Sequence, residues 1–115
     1  PKEVRLRRPS DYRKVWSEGR SWAHSLFVIW ARPNSIDRTR VGFTASKKIG
    51  NAVVRNRARR LLKEAVRRLY SDLAPGWDIV LVARSRLPHA RFHTVQRDLR
   101  RSMQSAGLLS NPDSE

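Results

Sequence analysis

Lys47-Lys48-Ile49-Gly50-Asn51-Ala52-Val53-Val54-Arg55-Asn56-Arg57-Ala58-Arg59-Arg60-Leu61-Leu62-Lys63-Glu64 decides the reading of this chain. Between Lys47 and Arg68 stand nine Lys or Arg residues and a single acid, Glu64. In the same segment Val54, Ala58, Leu61, Leu62, Ala65 and Leu69 recur at helical spacing, which predicts an amphipathic helix with one buried stripe. At about 100° per residue, Asn56, Arg59, Arg60, Lys63 and Arg67 gather on the opposite side, flanked by Arg57 and Arg68. Solvated helix faces usually mix acids with bases at i,i+4. Here the repulsion is largely uncompensated, so the face is expected to meet a polyanion. The bland alternative is a solvated face beside a core stripe.

The rest of the composition agrees. The chain has 115 residues, the size of one domain, and 39% of them are hydrophobic, enough for one modest core. Its 25 Lys and Arg against 10 Asp and Glu give a formal charge of +15. Such a charge opposes compaction and favours nucleic acid or an anionic surface. Most of the cations are Arg, which suits bidentate phosphate contacts and stacking on bases. The absence of cysteine excludes disulfides, thiolate zinc sites and cysteine nucleophiles, and fits a reducing compartment. No apolar run approaches the ~20 residues of a membrane span, and no apolar signal segment opens the sequence. A cytoplasmic protein is the expectation.

Outward from the basic helix the pattern is α/β. Pro1 to Arg8 reads as a basic extended segment. Ser10 is expected to cap a short helix in which Tyr12, Val15 and Trp16 share one face and Gly19 is the stop. Leu26 to Ala31 reads as a strand, and Val41, Phe43 and Ala45 alternate as a second. The short polar loop between them predicts an antiparallel hairpin. Trp77 to Ala83 is nearly continuous in apolar residues and predicts a central strand covered on both faces. Phe92, Val95, Leu99 and Met103 predict a last amphipathic helix ending near Gly107. The expected fold class is α+β, a small two-layer α/β sandwich in the order helix, strand, strand, helix, strand, helix. One domain is expected over residues 1–109, with a disordered tail at 110–115.

Protein-borne catalysis finds little support. The ten acids, Asp78 among them, are scattered, and none pairs as a two-carboxylate or Mg²⁺ nuclease centre would require. His89 and His93 are four apart and could share a helical face, but they lack a third ligand; with His24 they read as solvated or capping histidines. There is no Gly-x-Ser-x-Gly elbow and no phosphate-cradling glycine loop. No catalytic residue and no metal site are expected in this chain. No helix-turn-helix, zinc-finger or zipper pattern points to a DNA reader.

The aromatic set is the second signal. Tyr12 and Trp16 lie on the first helix and Trp30 on the first strand. Phe27 and Trp30 differ by three positions, so they point to opposite faces of that strand. If Phe27 faces the core, Trp30 faces the other side, where an open sheet can stack single-stranded bases. The plain alternative places all three aromatics in the core.

The segment from Lys47 to Glu64 closely resembles the protein subunit of bacterial ribonuclease P, a family marked by Lys-Lys-Ile-Gly-Asn-Ala-Val-x-Arg-Asn-Arg before a basic helix. Arg5-Leu6, Asp11-Tyr12, Val15-Trp16, Gly19, Phe27-Val28, Trp30, Arg40-Val41-Gly42 and the stretch from Asp78 to Arg84 extend the resemblance, which runs from about Arg5 to Leu108. It implies a mixed sheet with a left-handed β-α-β crossover, against the usual right-handed rule, similar to domain IV of elongation factor G. It also implies a ribonucleoprotein hydrolase, an endonuclease of tRNA processing, whose catalyst is RNA. That RNA removes the 5′ leader of precursor tRNA with Mg²⁺ that it holds itself. The protein is then an RNA-binding cofactor, with no membrane and no small-molecule cofactor involved. By position, Lys47, Lys48, Arg55, Asn56, Arg57, Arg59, Arg60, Lys63, Arg67 and Arg68 would face the RNA subunit. The family usually has Lys at the position of Arg59 and Arg at that of Lys63. Its three leader-binding aromatics, usually Phe, Phe and Tyr, fall on Tyr12, Trp16 and Trp30. Ser46 lies where a leader phosphate could be held. The alternative is a stand-alone basic RNA-binding or ribosome-associated protein.

Overall fold

The apolar run Trp77–Ala83 takes the middle of a five-stranded sheet. The computed structural model describes residues 4–110. In chain order its elements are β1 (Val4–Arg5), α1 (Pro9–Glu18), β2 (Arg20–Ala23), β3 (Phe27–Pro33), β4 (Arg40–Thr44), α2 (Ala52–Leu69), β5 (Trp77–Ala83) and α3 (Phe92–Ser105). The sheet order is β1-β4-β5-β3-β2. Strand β5 runs antiparallel to β3, from Phe27 opposite Ala83 to Pro33 opposite Trp77. It runs parallel to β4, from Arg40 opposite Asp78 to Thr44 opposite Val82. The parallel pair is joined through α2, so the sheet is mixed, as expected.

The predicted hairpin between β3 and β4 does not form, because β5 lies between them. Residues 78–81 of β5 are all buried, with side chains on both faces, so an edge position would expose what a central one covers. The hairpin that does form joins β2 to β3. Strand β2 (Arg-Ser-Trp-Ala) carries too little apolar alternation to read as a strand, and β1 is only two residues long. Both are recruited by free sheet edges, a tertiary cause that the sequence pattern does not contain.

Phe27, Ile29, Ala31, Val41, Phe43, Ile79 and Leu81 form the inner face of the sheet. Ala58, Leu62, Ala65, Val66 and Leu69 of α2 and Val95, Leu99 and Met103 of α3 close over it. Each large side chain so buried contributes ~1.5–3 kcal/mol. Val66 joins the stripe unforeseen, while Val54 and Leu61 are only half-buried. On the outer face Val80 packs with Leu6 and with Val15 of α1. The two-layer plan of sheet and α2/α3 thus gains partial cover on its second side.

Local sequence explains the helix starts. Proline in the first turn opens α1 after Arg8, so Ser10 lies inside the helix and is not its cap; the fixed proline φ suits that position and its missing N–H leaves no partner wanting. The Gly19 N–H donates to the Val15 carbonyl at 2.9 Å and ends the helix as expected. Before α2 the backbone passes through a 3₁₀ turn at Lys47–Ile49, then Gly50 with φ of 154°. A Cβ there would lie 3.0 Å from two atoms of the Val54 side chain. The Asn51 side chain then accepts from the Val54 N–H at 3.0 Å, capping α2. At the far end the N–H and hydroxyl of Ser110 donate to the Asp72 carbonyl at 2.8 and 3.1 Å. Of the expected tail, 110–115, residues 111–115 lie outside the described residues.

Candidate nucleic-acid interface

The cations of α2 are not equivalent. Asn56, Arg57, Arg60, Arg67 and Arg68 are exposed, and Arg55, Arg59 and Lys63 are half-buried. Arg55 turns back to donate to the Gly50 carbonyl at 2.9 Å, bracing the helix start. Arg59 donates to the Asn56 side chain. Arg57 is tied to the β5–α3 connection, its Nε donating to the Pro88 carbonyl at 2.8 Å. Both Arg67 and Arg68 hydrogen-bond Glu64. The Arg67 contacts, then those of Arg68, pull the Glu64 carboxyl from 4.5 down to about 2. The one acid of the segment is therefore a clamp that orders two arginines. Lys47 and Lys48 are exposed in the 3₁₀ turn, just after exposed Ser46, which lies two residues beyond β4.

A second constellation forms on the outer sheet face. Register places Gly42, Val80 and Trp30 in one row across β4, β5 and β3. Tyr12 of α1 lies on Gly42, where a Cβ would fall 2.4 Å from the phenol oxygen, so only glycine leaves room for the ring. Trp16, 39% exposed, meets Trp30 edge to face with ring centroids 5.3 Å apart. The three predicted aromatics therefore lie together on the outer sheet face, and Trp30 faces away from the core that holds Phe27. The next row, Thr44, Val82 and Val28, is half-buried and forms a floor that the sequence reading did not name. Counting two residues back from Trp30 would have found Val28.

The row on the other side of the aromatics holds the most consequential missed residue. Asp78, treated above as one of ten scattered acids, is fully buried in β5. Its carboxylate accepts from Arg40 through Nε at 2.9 Å and Nη2 at 2.7 Å, from the Asn34 amide at 2.9 Å and from Arg32 at 3.5 Å. The hydrogen bond to Asp78 raises the Arg40 pKa further. Arg32 also reaches Glu18 at 3.0 Å and Arg40 reaches Asp11 at 3.7 Å. Asp11 and Glu18 sit toward opposite ends of α1, so this charge cluster ties down the helix that carries Tyr12 and Trp16. An acid inside an otherwise apolar strand was the available signal.

The histidines have structural surroundings. His24 stacks on Phe27 at 4.5 Å, accepts from the Leu26 N–H at 3.0 Å and lies 3.3 Å from Asp98. His89 belongs to a 3₁₀ turn and His93 to α3, so they do not share one helical face. Among the described residues no group of three or more His, Cys, Asp or Glu could hold a metal ion. No helix there is long and apolar enough to cross a membrane.

A basic domain with a cationic helix on one side of its sheet and an aromatic cluster on the other has the make-up of an RNA-binding protein. The ribonuclease P family model matches residues 1–107. The ribonuclease P protein component of Roseiflexus castenholzii is 44% identical over 112 residues, covering 96% of this chain and 92% of its own. That of Caldanaerobacter subterraneus subsp. tengcongensis is 37% identical and covers 97% of both. The solved RNase P protein of Staphylococcus aureus superposes with a TM-score of 0.84 at 29% identity, over 95% of this chain and 100% of its own. That of Thermotoga maritima gives 0.77 at 32% identity, over 86% and 94%. The chain belongs to the ribonuclease P protein family. It is thus a protein subunit of an endoribonuclease holoenzyme of tRNA processing, with a ribonuclease P RNA as its partner.

Proposed function

We propose that the chain holds two RNAs at once, the catalytic RNA on the exposed face of α2 and the 5′ leader of precursor tRNA in the cleft of Tyr12, Trp16 and Trp30. The observation that carries this reading is their separation by the sheet. Helix α2 packs on the inner face, whereas Tyr12 and Trp30 belong to the outer cluster. Neither RNA need displace the other. Arg57, Arg60, Arg67 and Arg68 present guanidinium groups suited to phosphate, three of them held by contacts within the protein. Ser46, Lys47 and Lys48 lie where β4 passes toward α2 and supply hydroxyl and ammonium groups to a backbone phosphate.

The cofactor works by electrostatics and positioning. Cations beside the leader reduce repulsion between two polyanions, and ring faces of the cleft stack unpaired bases without reading their sequence closely. On this reading Mg²⁺ is held mainly by the RNA, and the protein's cations help to order it there. The protein then acts on substrate and ion affinity more than on the chemical step. Precursor tRNA and Mg²⁺ incubated with this protein, with a ribonuclease P RNA, or with both provide the test. At low salt, cleavage is expected with protein and RNA together, far less with the RNA alone, where repulsion between the polyanions is unrelieved, and none with protein alone. Cleavage by the protein alone would overturn the reading.

A further inference from the structure

The groove between α2 and α3 is lined by Arg57, Arg60, Leu61, Glu64 and Phe92 and encloses about 320 Å³. We propose that it is a base-binding subsite, taking one unstacked purine of the RNA subunit against Phe92 and Leu61, with the flanking phosphates on Arg57 and Arg60. This rests on the reading of α2 as the face that docks on that RNA, and it adds a contact to a base where α2 alone offers contacts to phosphate.

The walls have the composition of a stacking site. Phe92 begins α3 and is half-buried, its inner side packed against the core. The Arg68 guanidinium lies over the ring, 4.9 Å from its centroid, so a base in the groove meets the part of Phe92 that lines it. Leu61 falls on the apolar stripe by spacing, yet it is only half-buried, because it faces this groove. Two apolar side chains are thus left half-covered beneath a rim of cations. Aliphatic surface between two helices normally closes on itself; here the rim invites a ligand that is flat and apolar in its middle and anionic at its ends. A nucleotide extruded from its stack has that chemistry.

The polar groups are placed for the same ligand. Arg57 is fixed through its Nε to Pro88, which leaves its terminal nitrogens to donate outward at little further entropic cost. Arg60 is exposed on the rim, where its guanidinium can turn toward a phosphate. Glu64 accepts from Arg67 on one oxygen and from Arg67 and Arg68 on the other. A carboxylate has about four lone-pair sites, so one remains to accept from a purine amino or imino group. The groove's volume is sufficient for one purine ring system.

The test compares binding and base reactivity of a ribonuclease P RNA with the wild-type chain, Phe92→Leu, Phe92→Tyr and Leu61→Arg. Removing the aromatic face in Phe92→Leu is expected to weaken binding about 5- to 150-fold, with an unchanged salt slope since the cations that meet phosphate are all retained. At least one purine protected from dimethyl sulfate or kethoxal by the wild-type chain becomes reactive with Phe92→Leu and stays protected with Phe92→Tyr. Leu61→Arg fills the groove while adding a positive charge. It is expected to unmask the same purine and lower affinity, whereas charge alone would raise it. Thermal melts of the variants show whether each is folded, and Leu61→Arg decides if Phe92→Leu is not. Wild-type affinity and unchanged base reactivity in the folded variants would overturn the subsite. A wild-type chain that fails to bind the RNA at all would instead remove the docking reading beneath it.

Discussion

Trp16 meets Trp30 edge to face, with ring planes at 89° and centroids 5.3 Å apart. One ring comes from α1 and the other from β3, so the contact joins the helix to the sheet. Trp16→Ala is expected to weaken binding of precursor tRNA that carries a leader, by ~1–3 kcal/mol for each base left unstacked, and to spare leaderless tRNA. Equilibrium titrations with the two RNAs check this. Equal losses would remove Trp16 from the leader site. Because the rings touch, Trp16→Ala and Trp30→Ala should be non-additive, with a coupling of ~0.5–1.5 kcal/mol.

On the other side of the sheet, Arg60→Ala combined with Arg67→Ala is expected to lower affinity for the RNA subunit and to flatten its salt dependence. The log–log slope falls by about one unit for each phosphate no longer neutralised. Titration across a salt series measures it, and an unchanged slope rejects a phosphate role for these arginines. Arg60→Ala alone is the cleaner variant, since removing Arg67 also strips a partner from Glu64.

Asp78→Ala should destabilise the fold by about 3 kcal/mol, the lower end of the ~3–5 kcal/mol for breaking a buried pair. The lower end applies because the Arg40 side chain keeps 26% exposure and rehydrates in part. Denaturant unfolding measures this. The same variant loosens the ties from Arg40 and Arg32 to α1, so leader-dependent affinity is expected to fall with it. A stability change no larger than the ~0.5 kcal/mol of ordinary surface substitutions would show that the cluster is not a structural centre.

Glu64 has a folded pKa of about 2 against 4.5, lowered first by Arg67 and then by Arg68. A depressed carboxylate contributes stability in full above its unfolded value, and loses it as pH falls through the folded value. The contribution of Glu64 is therefore complete above about 4.5 and fades toward about 2. Its side-chain carbon followed by NMR should titrate near the lower value. Replacing Arg67 and Arg68 by Ala should return the midpoint toward the upper one. A wild-type midpoint at the ordinary value would refute the clamp.

Much of this molecule was legible in its sequence. The basic helix, its buried stripe, the central strand and the last helix all follow from periodicity, because burial on one face imposes a 3.6-residue repeat and burial on two faces imposes a continuous apolar run. The opposite facing of Phe27 and Trp30 follows from strand alternation alone. Local chemistry also shows in the motif, where Gly50 turns the chain and Asn51 caps α2.

Strand order was not legible. Nothing local to β3 or β4 says that β5, more than thirty residues on, will lie between them. The partnership of Asp78 is likewise nonlocal, since its cations come from β3 and β4 and no sequence spacing brings them together. The same holds for the α2–α3 groove, where Leu61 belongs to the stripe by its period and to the surface by the way α3 packs. Charge density and face periodicity are properties of a segment, so Lys47 to Glu64 announced a polyanion by itself. Which of its arginines are clamped, which can reach out to phosphate, and where an apolar wall stays open depend on distances between segments, and only the packed fold sets those.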